Sequence, residues 1–320
     1  MLKPIYLCSI FSFCLLFYSC QQSDSAVRTK DSAVKTKKTA PKTRLSFEPV
    51  KGIKYEEVKR RFSNGLSFDS TGFQQEPSWI IQFVSNDSVM AYSPQKKAMQ
   101  GFHLHYDHGD VYNFAKEWFR IKSISKDSVT MQRLYVKDRE IATDIRSDVN
   151  LTFYAQDYIK NTLKTTAEVL QRPSAKDTAF IRGLVERANR YPTHRDSVFA
   201  GRQAVQLIPK TKMISVEKLS SIDVLNGKTE AYDYLYPNYR VIIQKAYKDF
   251  GYTFSVLVDE KGQMHLGTFS GYIPEYRDVR KKVLEGIISI YLQNLLTIKP
   301  GSTLDIPHSS EITVTVKGMK

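Results

Sequence analysis

The chain has 320 residues, 42% of them hydrophobic and 12% aromatic, with a formal net charge of +14. That length and apolar share exclude a wholly disordered chain and leave room for two domains of ordinary size. All three cysteines (Cys8, Cys14, Cys20) fall within the first twenty residues, so the chain beyond Cys20 has no thiol for a disulfide, a thiolate metal site or a catalytic cysteine.

The chain opens Met1-Leu2-Lys3-Pro4, runs apolar over residues 5–18 and reaches Ser19 before Cys20. A positive start, an apolar run too short for a stable span and a small residue at the cleavage point make residues 1–19 a secretory signal. The cysteine straight after that small residue resembles the lipobox of bacterial lipoproteins of the Bacteroidota type. Phe17 and Tyr18 depart from it, standing where the family usually has Leu and a small residue. The resemblance implies that Cys20 is acylated, becomes the first mature residue and takes membrane lipid as its partner. An ordinary signal peptide or a short uncleaved anchor is the other reading. Gln21 supplies no acidic retention signal and Asp24 is the only acid soon after Cys20. The expected location is therefore the outer membrane, on its periplasmic side. Export removes nucleic acid from the partners that a basic chain would suggest and leaves lipid headgroups, lipopolysaccharide phosphates or acidic polymers.

Residues 20–45 form the expected basic tether. Their Ser, Thr, Lys and Ala cannot bury enough surface to offset the entropy of ordering. A tandem repeat runs through them, Asp24-Ser25-Ala26-Val27-Arg28-Thr29-Lys30 and then Asp31-Ser32-Ala33-Val34-Lys35-Thr36-Lys37. Its basic residues suit either a solvated spacer or contact with an anionic membrane surface. Asp-Ser/Thr-apolar triplets recur at Asp24, Asp31, Asp87, Asp127, Asp177 and Asp196. They resemble the acceptor motif of general protein O-glycosylation in the Bacteroidota, which makes Ser25 and Ser32 the candidate glycan sites. The later triplets also suit strand turns and helix caps.

Residues 46–160 read as a β-rich domain. A short helix is expected over residues 53–62, with Glu56, Glu57, Lys59, Arg60 and Arg61 outward. Period-two strands follow at 79–84, 89–93, 102–106, 118–124, 129–136 and 149–154. Tight turns at Asn86-Asp87-Ser88, Asp107-His108-Gly109-Asp110 and Lys126-Asp127-Ser128 separate them. This pattern predicts an antiparallel meander closing as a barrel or sandwich. In the strand at 118–124, Phe119, Ile121 and Ser123 form the expected core face. Trp79, Phe83 and the repeated strand-Asp-Ser-Val-strand units resemble lipocalin-like domains.

Residues 161–224 read as a helical and mixed connector. Helices are expected over 158–170 and 179–189, the second capped by Asp177 or Thr178, and strands over 204–208 and 213–216. Residues 225–320 read as a small α+β unit: a hairpin over 252–267, a helix over 278–296 with Val279, Val283, Ile287, Ile290 and Leu295 on its apolar face, and a last strand over 312–316. Tyr236-Pro237, Val256-Leu257-Val258-Asp259-Glu260-Lys261-Gly262, Lys299-Pro300-Gly301-Ser302 and the closing Ile312-Thr313-Val314-Thr315-Val316 resemble the TonB C-terminal domain. The resemblance implies its α+β fold and a partner-binding strand edge. It does not extend to energy transduction, because this chain has a lipoprotein-type signal in place of an uncleaved helix. The last strand is expected at or near a sheet edge, free to accept an extended peptide.

His103, His105 and His108 form the only metal-like cluster, and the turn around them favours solvated histidines over a metal site. Ser93-Pro94-Gln95-Lys96 fits a serine-acylase pattern without its companion motifs. The chain carries no P-loop, dinucleotide fingerprint, nucleophile elbow or H-E-x-x-H. The overall expectation is an α+β, non-enzymatic, cofactor-free lipoprotein that docks an envelope protein or peptide on its C-terminal domain. The alternative is a lipocalin-like carrier of a small apolar molecule.

Overall fold

Alternating burial builds the first sheet of the computed structural model, which describes residues 44–219 and 230–320. Cys20, Ser25 and Ser32 lie outside the described residues. The strands are β1 (Lys54–Phe62), β2 (Ile80–Ser85), β3 (Ser88–Ser93), β4 (Ala98–His103), β5 (His105–His108), β6 (Val111–Phe114), β7 (Glu117–Ile124) and β8 (Ser128–Leu134). A ribbon of β9 (Val136–Lys137) and β10 (Glu140–Ile141) precedes β11 (Val149–Ala155). The nine-stranded sheet runs β4-β3-β2-β1-β11-β8-β7-β6-β5. Pairing of β1 with β11 joins the two ends of the meander. β4 and β5 remain unpaired with each other on either side of buried Leu104, so the barrel is nearly closed, with one seam.

The stretch expected as a helix over 53–62 is strand β1. A bulge between Glu57 and Lys59 shifts its register: Tyr55 and Phe62 lie in the barrel core, whereas Val58 is buried outside it with Ile159 and Ala167. The three buried positions have the i, i+3, i+7 spacing of a helix face, so burial on both faces of the bulged strand disguises its period of two. In β7, Phe119 and Ile121 are buried as expected, whereas Ser123 is exposed beyond a second bulge.

Aromatic rings fill the barrel. Phe47 stacks on Phe83 at 4.5 Å and meets Tyr112 edge-on at 5.3 Å. Phe114 stacks on Phe119 at 4.7 Å, and Trp79 is edge-on to both. The lead-in residues enter this core: the Leu45 N–H donates to Tyr112 Oη at 3.1 Å and the Phe47 N–H to Asn86 Oδ1 at 2.7 Å.

After β11 comes a π-turn (Tyr158–Thr162), then α1 (Ala167–Gln171) and α2 (Ala175–Arg190). The helix expected over 158–170 is broken at Lys164, which has φ of 50°. Ser174 caps α2 three residues before the expected position, and Asp177 is the N3 partner of a capping box. The chain then forms β12 (Gln206–Pro209), β13 (Ile214–Leu219), α3 (Glu230–Leu235), β14 (Asn238–Gln244), β15 (Phe250–Val258), β16 (Met264–Phe269) and α4 (Arg277–Ile287). A π-turn (Ile288–Leu292), α5 (Gln293–Leu295), β17 (Leu296–Lys299), β18 (Ser302–Thr303), β19 (Ile306–Pro307) and β20 (Ser310–Met319) complete it. The five-stranded sheet runs β13-β14-β20-β15-β16.

The last strand is therefore central, parallel to β14 and antiparallel to β15, and the edge expected over 312–316 does not exist. Alternation tells which face of a strand is buried but not which strands flank it. Leu284 and Ile287 of α4 and Ile288 and Leu292 of the π-turn pack on Val256 and Val314. Val279 and Ile290, assigned to that apolar face from the sequence, are 60% and 62% exposed. The described residues thus form a mixed α+β fold, mostly antiparallel.

Residues Lys42–Lys320 make one compact unit, and two buried ionisable groups lie where its parts join. Asp177 is fully buried. Burial pushes its carboxyl up, but hydrogen bonds from the Ser67 N–H, the Ser174 hydroxyl, Arg61 and the Ser174 N–H outweigh that and hold it at about 2. His308 stacks on Phe199 at 3.7 Å and hydrogen-bonds Thr303 Oγ1 and the Ser309 carbonyl, both at 3.1 Å. Burial pushes its ring from 6.5 down to about 4. Both values are lower folded than unfolded, so both contributions are complete above the unfolded pKa and are lost as pH falls. The first loss, from His308, runs from pH 6.5 to 4 and amounts to roughly 3 kcal/mol at about 1.4 kcal/mol per unit. The second, from Asp177, runs from 3.8 to 2. Urea midpoints measured across pH should show the upper step in the native chain and lose it in His308→Gln. An unchanged upper step in that variant would exclude the assignment.

Candidate binding site

β16 covers only half of β15. Their pairing spans Val258↔Met264 to Phe254↔Phe269 and includes a bulge beside Ser255. The bulge is held by the Ser255 hydroxyl, which accepts the Thr268 N–H at 2.7 Å. It requires glycine at position 267, where a Cβ would come within 2.3 Å of that hydroxyl. Past Phe269 the chain turns away through Gly271, at φ of 73°. Residues 250–253 consequently have β20 on one side and no strand on the other among the described residues.

The phase of the main chain is set at the hairpin end, where the Asp259 N–H donates to the Gln263 carbonyl at 3.0 Å. Alternate residues of an antiparallel strand aim N–H and C=O to the same side. Gly251 and Thr253 therefore aim theirs at the uncovered side, and Phe250 and Tyr252 aim theirs at β20. On the helix face, Phe250 lies 6.0 Å from Tyr247, 5.8 Å from Tyr252 and 6.2 Å from Tyr291. The Arg280 guanidinium lies 4.7 Å over Tyr252. On the opposite face, Thr253 and Thr315 share a hydrogen bond of 3.0 Å, and Gly251 pairs directly with Lys317. A groove of about 740 Å³ lies along residues 249–253 and 315–319.

Other edges and hollows are less open or less complete. Gln293 accepts the Met264 N–H at 3.0 Å and donates to the Gly262 carbonyl at 3.1 Å, which blocks one end of the outer edge of β16. The opposite edge strand, β13, borders a groove of about 450 Å³ that includes Val205, Leu207, Val216 and Tyr239. A crevice of about 410 Å³ contains the Arg195–Glu311 ion pair, at 2.8 Å, and the Ser255–Thr268 hydroxyl pair.

The residues singled out from sequence lie elsewhere. His103 ends β4 and His105 begins β5, with ring centroids 6.2 Å apart across the seam. His108 is at the far end of β5, bonded to Asp107. No group of three or more His, Cys, Asp or Glu residues capable of holding a metal ion occurs among the described residues. Ser93 Oγ accepts the Lys96 N–H at 3.3 Å in a turn, while the Lys96 ammonium is bonded to Gln100 at 3.1 Å. The half-covered strand is not legible in the sequence; glycine at position 251 inside an alternating run is its one visible sign. No protein-family model matches this chain, and no match is found among curated proteins.

Proposed function

We propose that the chain is a lipid-anchored protein of the bacterial envelope that holds a partner in extended conformation on its second sheet, without catalysis. The observation that carries this reading is the uncovered side of residues 250–253, where two outward main-chain pairs and an aromatic strip are in place for an added strand. The sequence order β15, β16, α4, β20 is the hairpin-helix-strand order behind the likeness to the TonB C-terminal domain. Here the open backbone belongs to the first of these strands and not to the last. Among the described residues, aromatic and aliphatic side chains fill the barrel interior, which favours docking over the carrier alternative. The signal-like residues 1–19 and Cys20 support attachment to the outer membrane facing the periplasm, with the basic tether as spacer.

Two experiments test the reading. Thr253→Pro should abolish binding of extended peptides selected from a displayed library while leaving circular dichroism and protease resistance unchanged, because the lost N–H faces outward. Thr315→Pro, in the central strand, should instead remove a ladder hydrogen bond to β14 and unfold the sheet. Peptide binding that survives Thr253→Pro would rule out this strand as the site. For the anchor, Cys20→Ala should accumulate unprocessed, unacylated precursor. A mature product of normal size from that variant would exclude lipid attachment.

A further inference from the structure

Resting on that strand-addition reading, we infer that the partner strand carries an acidic residue between two apolar ones, with its carboxylate reaching across Gly251 to Lys317. An added strand lies about 4.8 Å from β15, and so roughly 9.6 Å from β20. The partner residue opposite Gly251 shares its face of the sheet. On that face a Cβ at Gly251 would find no atom within 4 Å, so no side chain among the described residues crowds the point where the partner side chain would pass toward Lys317. The two next-but-one neighbours therefore face each other over a gap that a Glu and a Lys together can span. Lys317 is exposed. The one acid along the groove, Asp249, accepts the Lys320 N–H at 2.8 Å and lies at the groove's end.

The flanking partner residues, opposite Phe250 and Tyr252, fall on the other face, against the ring strip and Arg280. Aliphatic or aromatic side chains suit that surface. The recognised pattern is thus apolar-acidic-apolar in an extended chain.

Blocked seven-residue peptides with valine at every odd position and Glu, Gln or Lys at the centre would be titrated into the full chain in detergent and read by fluorescence anisotropy. The Glu peptide should bind up to about fivefold tighter than the Gln peptide, the range of an exposed ion pair, with the Lys peptide weakest. Lys317→Glu should reverse the order of the Glu and Lys peptides. Gly251→Val fills open space in a strand, so the fold should persist while the Glu preference disappears. Equal binding of all three peptides to the native chain, still abolished by Thr253→Pro, would overturn the acidic preference and leave strand addition standing. Absence of binding by every peptide would overturn both.

Discussion

Ile287→Asp is expected to unfold the second sheet and its covering helix. Ile287 is 3% exposed and packs with Leu284 and Leu292 over Val256 and Val314. Aspartate there loses the burial of a large aliphatic group, about 2–3 kcal/mol, and adds an unpaired carboxylate in apolar surroundings, which costs several kcal/mol more. The sum is comparable with the whole stability of an ordinary domain, about 5–15 kcal/mol. Ile287→Val, by contrast, should cost about 1 kcal/mol. Limited proteolysis and urea midpoints separate the two variants. An Ile287→Asp chain as protease-resistant as the native one would mean that α4 does not cover the sheet.

The second large effect is expected at Glu57, the buried acid of the bulge in β1. Its carboxylate accepts Arg60 Nε at 2.7 Å and Arg60 Nη2 at 2.5 Å. The same carboxylate accepts the N–H groups of Ser78 at 2.9 Å and Trp79 at 3.1 Å. Glu57→Ala strands a guanidinium and two main-chain donors, and losing one partner of a buried pair costs about 3–5 kcal/mol. Trp79 lies edge-on to Phe114 and Phe119, so the near-ultraviolet circular dichroism of this ring reports on the same contact. We expect a fall in the urea midpoint together with a weakened tryptophan signal. Native stability in Glu57→Ala would show that the bulge is held by the strand pairing alone.

These two sites also show where local reading succeeds and where it stops. Ile287 is legible as an inward position because helical spacing is a property of neighbouring residues. Its companions Val279 and Ile290 are misplaced by the same spacing: the buried line runs through Leu284 and Ile288, and the last turns are π-wound. Glu57 reads as an outward helix residue because burial on both faces of the bulged strand gives residues 55, 58 and 62 the spacing of a helix. Nothing local reveals that the carboxylate is completed by Ser78 and Trp79, about twenty residues further on.

The sequence by itself determined the α+β class, the antiparallel meander, the inward faces of Phe119 and Ile121, and the hairpin, helix and final strand of the C-terminal part. All of these depend on periodicity and turn chemistry within short windows. Only the tertiary structure decided that β20 is central, that β1 pairs with β11 and joins the two ends of the meander, that His308 is buried against Phe199, and that β15 is half uncovered. Each of these depends on which distant segments pair or pack together. A period of two specifies the face a residue takes, whereas the neighbour across the ladder is chosen by the packing of the whole chain.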